Sequence, residues 1–98
     1  MTTYEETCAR LLEREQYYLK LDPKGTGANT LGERYRRMAR TAELLRRKIE
    51  GVEGAHNGLV YITLFKKDES FIGAHGSTLE TNIRLLGKEV GVRFSHSS

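Results

Sequence analysis

Leu31, Tyr35, Met38, Ala42, Leu45, Ile49 and Val52 recur along the chain at spacings that alternate between four and three without a break. That alternation places its members on one side of an α-helix, whereas a strand would scatter them over both faces. The seam is long and narrow, so it requires a partner. An antiparallel helix of the same chain or a second copy would both serve. Thr30 and Glu33 form a capping-box pattern at its start, and Glu50-Gly51 is a natural stop.

The rest of the chain is read around this helix. Thr3 and Glu6 repeat the capping box ahead of a first helix expected over Tyr4 to Leu19. Cys8, Leu11, Leu12, Tyr18 and Leu19 form its apolar stripe, and Asp22-Pro23 ends it. Gly51 to Gly58 reads as a loop that holds His56. LVYITLF, from Leu59 to Phe65, is rich in β-branched and aromatic residues and reads as a strand. Lys66 to Ser70 reads as a hairpin turn that returns through Phe71-Ile72. A third capping box, Ser77 and Glu80, opens a short helix lined by Leu79, Ile83, Leu86 and Val90 and weakened by Gly87. Val92 to Phe94 adds a small strand, and the segment from Ser95 is expected to fray. The fold class is therefore α+β, in the order ααββα: a helical hairpin-like core with a small β-hairpin and a third short helix. With 98 residues, one domain spanning 1–98 is expected. Its limited core makes a homo-oligomer the natural expectation.

Several function classes are excluded at this point. No apolar run is long enough to cross a membrane, and the first twelve residues, MTTYEETCARLL, lack the apolar centre of an export signal. Cys8 is the sole cysteine, which rules out an internal disulfide or a thiolate zinc site, and points to a reducing cytoplasm. No nucleophile-elbow pattern frames a serine. His56, His75 and His96 lie far apart, and no set of residues has metal-ligand spacing. His56 and His75 flank the expected hairpin and are read as exposed loop histidines. No enzymatic activity, metal or cofactor is expected.

Charge is where the sequence becomes informative. The net charge is +3, but residues 31–50 hold seven cations (Arg34, Arg36, Arg37, Arg40, Arg46, Arg47, Lys48) against Glu33, Glu43 and Glu50. Residues 51–98 balance at five each. A surplus concentrated on one element indicates an anionic partner. Arg36, Arg40 and Arg47 form one row at helical spacing, with Glu43 among them. Arg34, Arg37 and Lys48 form another with Thr41. Two such rows beside a buried seam can follow a phosphodiester backbone. As a plain solvated face, they would pair with Glu13, Glu15 or Glu43.

Ahead of this helix stands PKGTGANT. Gly25 and Gly27 allow the backbone to approach an anion closely, and the helix N-terminus adds unsatisfied N–H groups. Lys24 supplies a charge and Thr26 a hydroxyl, and Arg34 and Arg37 follow within two turns. The spacing of a Walker loop is absent. A flexible connection ending in an ordinary cap fits the same residues. Of Tyr17 and Tyr18, the exposed one could stack on a base; Tyr18 is taken as the candidate, and Tyr35 belongs to the seam.

The segment PKG (Pro23 to Gly25), with ERY (Glu33 to Tyr35), Met38, Ala42, Leu45 and Ile49, resembles the hairpin domain of phage anti-CBASS and anti-Thoeris proteins. These proteins sequester the nucleotide signals of bacterial immunity without cleaving them. The resemblance implies an oligomer that holds cyclic oligonucleotides, often between protomers, in the cytoplasm of an infected host. Lys24, Gly25 and Thr26 would then contact phosphate or base, and Arg34 and Tyr35 would open the long helix. Three functions fit these residues. The first, slightly ahead, is a non-catalytic sponge for a cyclic oligonucleotide. The second is an RNA- or DNA-binding protein of the viral-suppressor type that uses the arginine rows. The third is a small inhibitor that meets a protein partner through the 59–72 hairpin, because a strand edge can pair with another chain.

Overall fold

The computed structural model describes residues 2–21, 31–61 and 76–95. Strand β1 (Thr2–Thr3) leads directly into helix α1 (Tyr4–Leu21). Thr3 Oγ1 accepts the backbone N–H of Glu6 at 3.1 Å, so the cap read from the sequence is formed. The helix runs two residues beyond the expected Leu19. Its buried row is Thr7, Leu11 and Tyr18. The expected stripe needs correction here: Leu12 and Leu19 are 40% and 53% exposed. Leu12 lies about 100° round the helix from Leu11, outside the arc of α1 that the core covers. Thr7 takes the inward place instead, because a partner elsewhere in the chain satisfies its hydroxyl.

Helix α2 (Leu31–Ile49) buries Met38, Ala42, Leu45 and Ile49 on its seam, with Ala39 and Thr41 beside them. Thr41 survives burial by donating its hydroxyl to the Arg37 carbonyl at 2.8 Å. The seam is filled within the chain: α1 lies along α2 in the largest contact of the fold, and the third helix covers the remainder. The seam stops at Ile49. Gly51 takes φ 89°, where glycine carries no steric penalty, and Val52 is turned out, 44% exposed.

Helix α3 (Gly76–Val90) starts at Gly76, ahead of the expected Ser77 cap, and buries Ile83, Leu86 and Val90. Leu11, Leu45 and Leu86 have no exposed surface and represent one helix each at the centre of the core. Each contributes about 1.5–3 kcal/mol by burial. At the end of α3, Gly91 has φ 74° and the Val92 N–H bonds the Gly87 carbonyl at 2.9 Å. That bond pattern is a Schellman cap, which turns the chain back along the helix.

The strands depart most from the expected order. β2 (Ala55–His56), part of the segment read as a loop, pairs antiparallel with β1, Thr2 opposite His56 and Thr3 opposite Ala55. β3 (Leu59–Tyr61) is the start of the expected strand. It pairs in parallel with β4 (Arg93–Ser95), Leu59 opposite Arg93. The described part of the proposed 59–72 hairpin is therefore joined to the chain's last strand, and 62–75, including the expected turn and return, lies outside the described residues. The observed order is β1-α1-α2-β2-β3-α3-β4, mostly helical with short strand pairs, within the α+β class.

Gly87 also acquires a different role. A Cβ at this position would lie 2.6 Å from the Val92 carbonyl oxygen and 3.2 Å from a ring carbon of Phe94. The missing side chain is what lets the chain after α3 fold back onto it. Among the described residues, no helix is long and apolar enough to cross a membrane.

Candidate functional site

The α2 surface turned away from the core carries Arg36, Arg40 and Arg47, with Glu43 among them. Arg47 Nη2 lies 2.9 Å from Glu43 Oε1 and Arg40 Nη1 lies 3.5 Å from Glu43 Oε2, so two guanidinium groups share one carboxylate. Both arginines remain largely exposed, 57% and 65%, and exposed pairs of this kind contribute no more than about 1 kcal/mol. The second expected row is less open: Arg37 and Lys48 are half-buried and engaged with neighbours. Arg36 is likewise half-buried and engaged. Arg34, in the first turn, is exposed.

Arg46 is committed to structure. It bridges to Glu15 on α1 at 3.3 Å and to Glu50 at 3.6 Å. Pairing with Glu15 and Glu43, expected of a solvated face, therefore occurs, yet among the described residues it leaves Arg40 and Arg47 with one countercharge between them.

Lys24, Gly25 and Thr26 lie outside the described residues. Tyr18, taken as the stacking candidate, is instead the buried member of its pair. Its hydroxyl donates to Glu89 Oε1 on α3, and its ring lies 6.1 Å from that of Tyr35. Burial, followed by the bond to Glu89, pushes the phenol up to about 12. Arg14 completes this cluster. Its Nε sits 3.5 Å from Glu89 Oε2, and the guanidinium lies 4.1 Å above the ring of Tyr17. Tyr17 is 46% exposed and is the solvent-facing member of the pair.

His56 is a second correction: it is buried, not an exposed loop residue. Its Nδ1 accepts the Gly58 N–H at 3.1 Å, which assigns the ring proton to Nε2. Nε2–H then donates to Thr7 Oγ1 at 2.8 Å, and the Thr7 hydroxyl donates to the Thr3 carbonyl at 3.1 Å. The Tyr4 ring covers the imidazole at 4.8 Å. Both ring nitrogens of His56 are occupied, Nδ1 within its own turn and Nε2 in joining α1 to β2. His75 and His96 lie outside the described residues. Among the described residues, no three side chains of metal-ligating type converge. Cys8 is half-buried, and burial together with Glu50 pushes its thiol up, although Arg46 opposes the shift.

A depression of about 710 Å³ opens where the end of α3 meets β4, lined by Arg84, Lys88, Arg93, Phe94 and Asn57. Arg84 and Lys88 stand four residues apart on one helical face. The Gly91 turn and the pairing of Arg93 with Leu59 carry the third cation alongside them. All three are exposed, Phe94 is half-buried, and among the described residues no carboxylate lines the space. The even charge balance of residues 51–98 hid this cluster. The i,i+4 pair Arg84 and Lys88 was the available signal; the addition of Arg93 depends on the parallel strand pair.

No known protein family, characterised protein or solved structure matches the chain, so the functional reading rests on the residues themselves.

Proposed function

We propose that this chain is a non-catalytic binding protein for phosphodiester ligands and that it meets them with the outer face of α2. One observation carries the reading: Arg40 and Arg47 share the single carboxylate of Glu43 on an exposed helical face, so the face keeps a net positive charge. Arg36 to Arg47 spans about 16 Å along the axis at 1.5 Å per residue. A span of that length suits an extended RNA or DNA backbone, whose affinity arises largely from counterion release. The counter-defence sponge is the narrower reading. Its support is the likeness around Pro23 to Gly25 and the residues Lys24, Gly25 and Thr26. The packing of the α2 seam within the chain removes the argument that this seam joins protomers, so the broader ligand class is preferred.

The test is fluorescence anisotropy of a labelled RNA duplex and single strand, titrated at several salt concentrations. Arg40→Gln/Arg47→Gln should weaken binding and reduce the slope of log K against log salt by about 2 on a duplex. Glu43→Gln, which frees both guanidinium groups, should tighten it. A wild-type protein that binds neither probe, or a double variant that binds as wild type does, would overturn the reading.

A further inference from the structure

The depression between α3 and β4 is separate from the α2 face. We infer that it is a binding site for a nucleotide-sized anion, with phosphate oxygens on Arg84, Lys88 and Arg93 and a planar ring against Phe94. The volume of about 710 Å³ lies within the range of roughly 300–1,000 Å³ typical of small-molecule sites. Three cations of one sign, with no carboxylate lining the space among the described residues, are an unfavourable arrangement unless an anion offsets them. The two guanidinium groups suit phosphate, which they bond bidentately.

The C-terminal end of α3 borders the site, and its dipole alone would oppose an anion with about half a negative charge. Two of its carbonyls are already answered. Arg10 Nη1 donates to the Val90 carbonyl at 2.9 Å, and the Val92 N–H donates to the Gly87 carbonyl at 2.9 Å. Three full positive charges therefore outweigh what is left of the dipole. Gly58, Gly87 and Gly91 present backbone without side chains to the same space, which leaves room for a ligand to lie close to the chain. Phe94 is held in place from below, its ring packed on Gly87. A half-buried aromatic beside fixed cations can accept a base by stacking.

The experiment is calorimetric titration of the full chain at low salt with ADP and, separately, with inorganic pyrophosphate. ADP should bind at one site. Arg84→Gln/Arg93→Gln should weaken it at least tenfold, because it removes the charge-assisted bonds of two guanidinium groups. The α2 variant Arg40→Gln/Arg47→Gln should leave ADP binding unchanged, which separates this site from the face proposed for nucleic acid. Pyrophosphate should bind more weakly than ADP to wild type, and Phe94→Leu should remove that difference. Circular dichroism checks that each variant folds. The assignment fails if ADP shows no saturable binding, if the α2 variant loses it equally, or if pyrophosphate binds wild type as tightly as ADP.

Discussion

Replacing Gly87 with alanine sets two effects of opposite sign against each other. In the interior of a helix, alanine is favoured over glycine by about 1 kcal/mol. From the helix alone the substitution should stabilise. The packing reverses this, because the new Cβ would meet the Val92 carbonyl oxygen at 2.6 Å, whereas carbon–oxygen contacts ordinarily begin near ~3.3 Å. The overlap to be relieved is thus roughly 0.7 Å on this comparison. The obstruction is backbone and cannot rotate away: the Val92 N–H is bonded to Gly87, and the Arg93 N–H to the Gly58 carbonyl. Relief requires the start of β4 to lift from α3 as a unit. Overpacking of this kind costs about 1–3 kcal/mol, so the net expectation is a loss of about 1 kcal/mol. Urea unfolding followed by far-ultraviolet circular dichroism resolves the sign, with the midpoint falling and the slope unchanged. A Gly87→Ala protein more stable than wild type by about 1 kcal/mol would refute the close approach of β4 to α3.

Three further outcomes are expected. Thr7→Val keeps the volume of the side chain but leaves His56 Nε2–H buried without an acceptor. It should cost about 1–3 kcal/mol in the same urea assay, and an unchanged midpoint would contradict the His56 network. Tyr18 has its phenol raised from 10.0 to about 12, so the folded state holds this proton more tightly than the unfolded chain. Its contribution is complete below pH 10 and declines as pH rises toward about 12. The stability difference between wild type and Tyr18→Phe should shrink across that window, and a constant difference would argue against the Glu89 bond. Cys8, whose thiol is raised by burial, should react with a thiol reagent at neutral pH more slowly than the same cysteine in urea. Equal rates would place the side chain in solvent.

The sequence revealed what local chemistry decides. The α2 seam was legible because its periodicity is a property of one helix, and Thr3 was legible as a cap because its partner, Glu6, lies three residues away. The inward face of α1 was misjudged at Thr7, which is polar, whereas Tyr18 was read into the stripe but also offered as an exposed stacking residue; both are buried. Their burial is tolerated only through His56 and Glu89, which belong to distant elements. The same limit applies to β3. LVYITLF reads correctly as strand material, but β-propensity does not say which strand pairs with it, and the partner is Arg93–Ser95 at the far end of the chain. Within the candidate site, the basic character of α2 was visible in the composition of residues 31–50. The sharing of Glu43 and the commitment of Arg46 to Glu15 depend on side-chain geometry. Gly87 looked like a flaw in a helix because the chain that packs on it could not be seen.

The β1–β2 ladder has a consequence for how the molecule breathes. It contains two residues per strand, and it closes a loop from Thr2 to His56. With the helices packed, the strands are held by the few bonds of a two-residue ladder and by the His56–Thr7 bond. The helical core of Leu11, Leu45 and Leu86 does not include these strands. The ladder can therefore detach as a local opening while the three helices stay packed. In hydrogen exchange, the Tyr4 amide, bonded to the Gly54 carbonyl at 3.2 Å, would exchange well ahead of the amides around Leu45. Among the described residues, the amino-terminal strand and its histidine anchor are then released before the helices part.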